Sequence, residues 1–334
     1  ASDVYKRQVY HHGILPVVAF AIGWLIAEGS SDKQIRDGIL ALAAGFGTYA
    51  TLNMLVNIGN NRYRLIDFWT GTYRAATGSG ALNTLPISVT PYAVKFEKRL
   101  PVKILFLALF FATIQYMFML GTRTQFAILL LIVILAALQF AYSEHGIAGI
   151  LKCLGIMVVI SLIAFLFYHF NVLSIRDYIL STNLAARYER RASLENSDSF
   201  RFQSFWIGLR ELIQYPMGGR ASQIYRHNMW LDVGRVSGII PFCLLLIYSI
   251  KNFANVTVIW KTPKILPSLR YLLLFLYIGA YVNCFVEPIW EGALNFFLAL
   301  CVVDGMVSAM MRRLENDPNS EESVPDASNL HADL

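Results

Sequence analysis

Charged side chains are scarce in this chain. Asp, Glu, Lys and Arg make up 15% of its 334 residues, hydrophobic residues 56%, and the mean hydropathy is +0.50. A soluble domain carries about 25% charged residues, so a water-soluble globule is excluded and an integral membrane protein is implied. Strict alternation of apolar and polar residues is missing too. The apolar stretches are continuous, which argues against a transmembrane β-barrel. There are only four cysteines, Cys153, Cys243, Cys284 and Cys301, all inside apolar runs and none at metal-ligand or redox-motif spacing. They read as small residues packed between helices. Neither a P-loop nor a Rossmann glycine fingerprint occurs. No Asp-x-Asp pair is present to hold the metal of a nucleotide-sugar transferase. The formal charge of +6 does not indicate nucleic acid, because the basic residues are divided between two membrane faces.

What the chain does have is membrane-length apolar runs: Gly13–Ala27, Ile39–Ile58, Ile104–Leu120, Phe126–Tyr142, Ile147–Phe170, Met229–Ile250, Leu269–Val286 and Ala293–Met311. Most reach the roughly 17–25 residues that cross a bilayer as helix. A weaker run, Ser79–Phe96, contains Pro86 and Pro91. The expectation is an all-α polytopic transmembrane bundle of 8–9 spans with one large, partly helical periplasmic loop. Residues 1–8 resemble translated sequencing-adapter read-through, and the chain enters the membrane almost at once. Residues 9–171 therefore read as an N-terminal bundle that lacks its first helices. Residues 172–227 form the loop, 228–312 the C-terminal helices, and 313–334 a disordered cytoplasmic tail.

Short basic segments at Lys95–Lys103, Lys251–Arg270 and Arg312-Arg313 face the cytoplasm by the positive-inside tendency. The segments left on the far side contain no lysine, yet hold Arg62, Arg64, Arg74, Arg123, Arg176, Arg187, Arg190, Arg191, Arg201, Arg210, Arg220 and Arg226. Membrane orientation needs only positive charge and does not explain a choice of arginine. Guanidinium is planar and grips phosphate oxygens in pairs, whereas ammonium acts as a point charge. The plain alternative is pairing with Asp177, Glu189, Glu195, Asp198 and Glu211, or with lipid headgroups.

Within the long loop, a helix capped by Asp198 or Ser199 runs from Phe200 to Gln214. It sets Phe202, Phe205, Trp206, Leu209, Leu212 and Ile213 on one face. Pro216-Met217-Gly218-Gly219 ends it and turns the chain back. His227-Asn228 then opens the next span, which carries Asp232 and Arg235 one turn apart, a pair expected to bind each other. Gly121-Thr122-Arg123-Thr124 is a tight outer turn between two apolar helices. Glu287 and Glu291 stand on the short turn before the last span, where they either pair with an arginine or orient an acceptor.

Three of these places resemble the O-antigen ligase and O-antigen polymerase superfamily of bacterial membrane glycosyltransferases. Gly121-Thr122-Arg123 is similar to that family's short arginine turn. Arg201 with Trp206 and Tyr215-Pro216-Met217-Gly218-Gly219 resembles the amphipathic loop helix and its exit. His227-Asn228-Met229-Trp230-Leu231-Asp232 with Gly238 resembles the His-Asn signature of the following span, and Arg74–Gly80 more loosely a small-residue turn. The resemblance runs from about Tyr73 to Met311. It implies a bacterial inner-membrane enzyme that takes a glycan from undecaprenyl diphosphate on the periplasmic side. The acceptor is lipid A-core for a ligase and another lipid-linked glycan for a polymerase. His227 would be the general base and Arg123 and Arg201 the diphosphate clamps. Arg74, Arg220 and Arg226 are further candidates, with Asn228, Asp232 and Arg235 in support.

The chemistry agrees with the residue types. A sugar diphosphate carries its own leaving group, so the enzyme needs a base for the acceptor hydroxyl and positive charge for the departing diphosphate. Histidine can be neutral and accept a proton at working pH, and arginine takes the place of a metal. No cofactor is implied, and direct attack predicts inversion at the anomeric carbon. Two rival readings come from other classes. A transporter or flippase of anionic lipid-linked glycans would spread charges along a pathway through the bilayer and often repeat itself in two halves, whereas this sequence shows no convincing internal repeat. A non-catalytic subunit of an envelope assembly machine is the other.

Overall fold

The computed structural model describes residues 9–58, 64–192, 197–221 and 224–316, without the side chains of residues 9, 64, 74–77, 190–192 and 197–201. The expectations for residues 1–8 and for the tail after residue 316 lie outside the described residues. The described chain is nearly all helix. Its one sheet among those residues is the antiparallel hairpin β1 (Arg64–Ile66) and β2 (Tyr73–Ala75), in which Leu65 faces Arg74. Among the described residues, seven helices are long and apolar enough to cross a membrane. They mark a multi-pass helical membrane protein.

The helices follow in order. A π-helical turn, Val9–Ile14, leads into α1 (Leu15–Glu28), followed by α2 (Asp32–Leu55), the short α3 (Ala76–Leu82), α4 (Thr84–Phe96), α5 (Leu100–Leu120) and the long α6 (Arg123–His169). The loop region contains α7 (Ile175–Ser181), α8 (Asn183–Ala192) and α9 (Ser197–Gln214). The last part holds α10 (Met229–Ser237), α11 (Ile239–Lys261), α12 (Pro267–Val286), the single turn α13 (Ile289–Gly292) and α14 (Leu294–Glu315). The loop is thus helical in both halves, not only in its second. Local chemistry sets the helix ends. A reciprocal capping box between Ser31 and Gln34 opens α2, and a proline occupies the first turn of α5 and of α12. Gly121, at φ 65°, closes α5.

Three expectations about the spans are refined or corrected. The runs Phe126–Tyr142 and Ile147–Phe170 belong to α6, which folds back at Gly146 (φ 57°, ψ −142°). A Cβ on Gly149 would stand 2.1 Å from the Ala141 carbonyl oxygen, and Val133 and Ile160 line one groove. In a straight helix those two residues would be about 40 Å apart at 1.5 Å per residue. The two runs are the arms of a helical hairpin.

The second correction concerns Ser79–Phe96, the weakest run. It becomes α3 and α4, and residues 79–90 are all buried. Helix α4 packs against α2, α5, α6 and α12 and lies at the centre of the bundle. A Cβ on Gly279 would sit 2.1 Å from Ser88 Oγ, which shows how closely α12 approaches. Its polar groups are satisfied inside the protein: Ser88 donates to the Thr84 carbonyl, Thr90 to the Pro86 carbonyl, and Asn283 Nδ2 to Thr84 Oγ1.

The third correction concerns Met229–Ile250, expected as one span. It breaks at Gly238 (φ 96°), so the apolar span begins at Ile239. The turn after α9 causes the break. Pro216 offers its carbonyl to Ile239 N–H, while Gly219 and Arg220 N–H donate to the Val236 and Arg235 carbonyls. A Cβ at Gly218 would lie 2.5 Å from Gly238 N, so both crossing points are glycines.

The bundle has two unlike ends. One carries the starts of α2, α5 and α12 and the ends of α4, α11 and α14. There Arg99 joins Asp37 and Glu97, and Arg313 joins Asp32. Every described lysine except Lys251, which lies near the midpoint of α11, falls toward this end. The other end carries the hairpin, α7 to α10 and α13, with arginine as its basic residue.

Candidate functional site

The site grows from the last residues of the loop. Asn228 has extended backbone and caps α10, its Oδ1 accepting the Leu231 N–H at 3.1 Å. Asp232, one turn inside, reaches back to take the Arg226 N–H at 2.6 Å. Helix α10 therefore holds the residue on each side of His227. Between them His227 adopts φ 54°, a left-handed conformation uncommon outside glycine. Its ring meets Tyr225 edge-on at 4.7 Å. The histidine is half-buried and its Nδ1 has no solvent contact.

A second bond system fixes the same segment from α9. The Arg226 guanidinium lies in a two-point grip on Glu211, Nε to Oε2 at 3.0 Å and Nη2 to Oε1 at 2.6 Å, with both residues buried. Gly208 makes room, since a Cβ there would sit 3.3 Å from Arg226 Cγ. Arg220 approaches Glu211 at 3.8 Å and stacks on Tyr215 at 4.2 Å. Below, Arg235 pairs with Glu291 and donates to the Arg220 carbonyl at 2.6 Å. Asp232, the expected partner of Arg235, stands farther off, at 3.7 Å. Arg235 is not deep in a span, because its helix ends at Ser237. Burial pushes the Asp232 carboxyl up to about 6 and outweighs the nearby Arg235 and the Arg226 N–H.

The buried face of α9 is not its aromatic stripe as a whole. Ser204, Gly208, Glu211 and Leu212 face inward, whereas Phe202, Trp206 and Ile213 are exposed. Turn-by-turn spacing was right, but the face with the buried carboxylate and glycine wins the packing. Arg210 is exposed.

The arginine turn is built on the other side of the same end. Helix α8 rests on it: Asn183 Nδ2 donates to the Met119 carbonyl at 2.6 Å, and Arg187 to the Gly121 carbonyl at 2.9 Å. The Arg123 guanidinium lies 5.9 Å from the centre of the Tyr188 ring. Beside it, the Thr124 hydroxyl donates to Glu287. Two residues before Glu287, the Phe285 carbonyl accepts Asn228 Nδ2 at 3.2 Å. Residues 285–287 thus tie the arginine turn to the histidine segment. Phe205 of α9 touches the same place, 6.1 Å from the Phe285 ring. Arg201 precedes Phe205 by one helical turn, and Arg74 lies in β2; the side chains of both fall outside the described residues.

His227, Asn228, Asp232, Arg226, Arg220 and Arg235 are therefore one connected cluster, with Arg123 joined to it through Thr124, Glu287 and Phe285. Glu291 pairs with arginine, and Glu287 receives a hydroxyl. Sequence reasoning named Glu211 as a partner for arginine without saying which one, and it missed Tyr188 under Arg123 and Phe285 as the meeting point. No family model matches this chain, and no curated protein matches it.

Proposed function

We propose that this protein is a membrane glycosyltransferase of the O-antigen ligase type, moving a glycan from undecaprenyl diphosphate to a hydroxyl of lipid A-core. The observation that carries the reading is the double tie of Thr124 and Asn228 to residues 285–287, because it joins the segments that carry Arg123 and His227 to one short stretch of chain. The lysine-rich end faces the cytoplasm by the positive-inside tendency, so the site opens to the periplasm.

In this reading neutral His227 takes the proton of the acceptor hydroxyl. The freed oxygen attacks the anomeric carbon, and the bond from that carbon to the diphosphate oxygen breaks with inversion. Arg123 and Arg201 stabilise the charge gathering on the leaving diphosphate, and the histidine later returns its proton to water. Arg226, gripped by Glu211, serves as a positioning residue for its neighbour rather than as a phosphate clamp. Arg220 and Arg74 stay secondary candidates for the diphosphate.

A polymerase uses the same donor chemistry and differs in the acceptor. The test is reconstitution in vesicles with undecaprenyl diphosphate-linked glycan, offering lipid A-core or a second lipid-linked glycan. Glycan on lipid A-core supports the ligase. A ladder of growing lipid-linked product supports the polymerase instead. Donor left intact with both acceptors sinks the transferase reading.

A further inference from the structure

Asp304 lies near the midpoint of α14, about 15 Å from either end at 1.5 Å per residue. It is 0% exposed. Its Oδ1 lies 2.5 Å from the Tyr277 hydroxyl and its Oδ2 2.7 Å from the Tyr248 hydroxyl. No lysine, arginine or histidine is bonded to it among the described residues. The titratable groups around it are Tyr248 from α11, Tyr277, Tyr281 and Cys284 from α12, and Cys301 one turn away on α14. Helix α1 packs Phe20 and Trp24 against this region, and its one ionisable residue is Glu28 at its last position. None of these groups supplies positive charge. An isolated carboxylate is costly at such depth, and ionisable residues inside spanning helices mark sites of function.

The carboxyl also has a neighbour with access to the outside. Tyr248 and Cys301 line an apolar cleft of about 1140 Å³ between α1, α11 and α14, which also has His12, Ser237 and Glu291 in its lining. Tyr277 is fully buried, so its hydroxyl serves only the carboxyl. Of the two phenols bonded to the carboxyl, Tyr248 is the one that also lines the cleft.

We propose that Asp304 is an intramembrane proton-binding site and that Tyr248 passes its state to the cleft. With Asp304 ionised, both phenols donate to it, and the cleft meets only lone pairs of the Tyr248 oxygen. One proton taken from water at the cleft and bound at Oδ2 turns the carboxyl into a donor. Tyr248 then accepts that hydrogen bond, and its own O–H swings into the cleft as a donor. A single proton enters or leaves, and no bond between heavy atoms changes. The inference does not depend on the glycosyl-transfer reading.

Infrared difference spectra of the full chain in lipid vesicles, taken between acid and alkaline buffer, test this directly. The expected result is a carboxylic-acid carbonyl band present in acid and lost in alkali. It is absent from Asp304→Asn and shifted in frequency and titration midpoint by Tyr248→Phe. Tyr248→Phe keeps the ring and removes one bond, so the test stands even where Asp304→Asn fails to fold. A wild type with no pH-sensitive band, or a band unmoved by Tyr248→Phe, overturns the proposal.

Discussion

Two charged clusters occupy opposite ends of this bundle, and they are built on different plans. At the lysine-rich end, Arg99 bridges Asp37 and Glu97 while its own side chain stays 46% exposed. The Arg99 guanidinium holds the Glu97 carboxyl down at about 2. At the loop end, Glu211, Arg226, Asp232, Arg235 and Glu291 alternate in sign, and the first four are buried. Exposed pairs contribute about 0–1 kcal/mol. Buried pairs lose much of their attraction to desolvation, yet removing one partner costs about 3–5 kcal/mol. A cluster kept under those terms is better explained by geometry than by stability. Here it fixes the backbone on both sides of a left-handed histidine.

That contrast can be broken by experiment. Arg226→Ala leaves Glu211 buried without its two-point partner. It should lower unfolding stability in detergent by about 3–5 kcal/mol, and Arg226→Lys should restore only part, lacking the fork. A loss within about 1 kcal/mol, the size expected of an exposed pair, would erase the distinction between the two ends. A pH effect comes next. Asp232 rises from 3.8 to about 6 on folding, so its contribution is fully present below pH 3.8 and is lost as pH rises through 6. Asp232→Asn keeps an oxygen for the Arg226 N–H and should flatten that decline; thermal melts of unchanged slope across this window would refute the assignment.

Smaller effects should follow. Asn228→Ala removes the α10 cap and the bond to Phe285, costing about 1 kcal/mol and lowering transfer by more than that stability loss explains. Equal, purely structural losses would argue against a role in holding His227. Asp37→Asn, at the half-exposed pair with Arg99, should cost less than about 1 kcal/mol and leave transfer untouched. A transfer defect there would mean that the lysine-rich end also serves the reaction.

The sequence made much of this legible, and its failures have one physical cause. Hydropathy records contact with lipid rather than burial. The second arm of α6, residues 147–169, is the plainest apolar run, and Ile147, Leu151, Val158 and Phe165 are all exposed. Helix α4 reads as the weakest run because its neighbours are other helices, against which Thr84 and Thr90 find partners, while Ser88 bonds back to its own helix. The break at Gly238 depended on Pro216, a residue far back in the loop, although the glycines at 218, 219 and 238 were a usable signal. The separation of arginine from lysine was readable once the short basic segments had set the sidedness of the spans. The Glu211–Arg226 grip was not, since it joins residues on two sides of a turn whose shape only packing decides. Asn228 as a cap was within reach of local rules; its hold on Phe285 was not.

The most direct measurement is the rate of glycan transfer from undecaprenyl diphosphate by His227→Asn, compared with wild type in the same vesicles and with donor binding followed alongside. The account predicts a fall of about 10²–10⁴-fold, the usual contribution of a positioned general base, with donor binding retained. Transfer within a few-fold of wild type would contradict the assignment of His227 as the base.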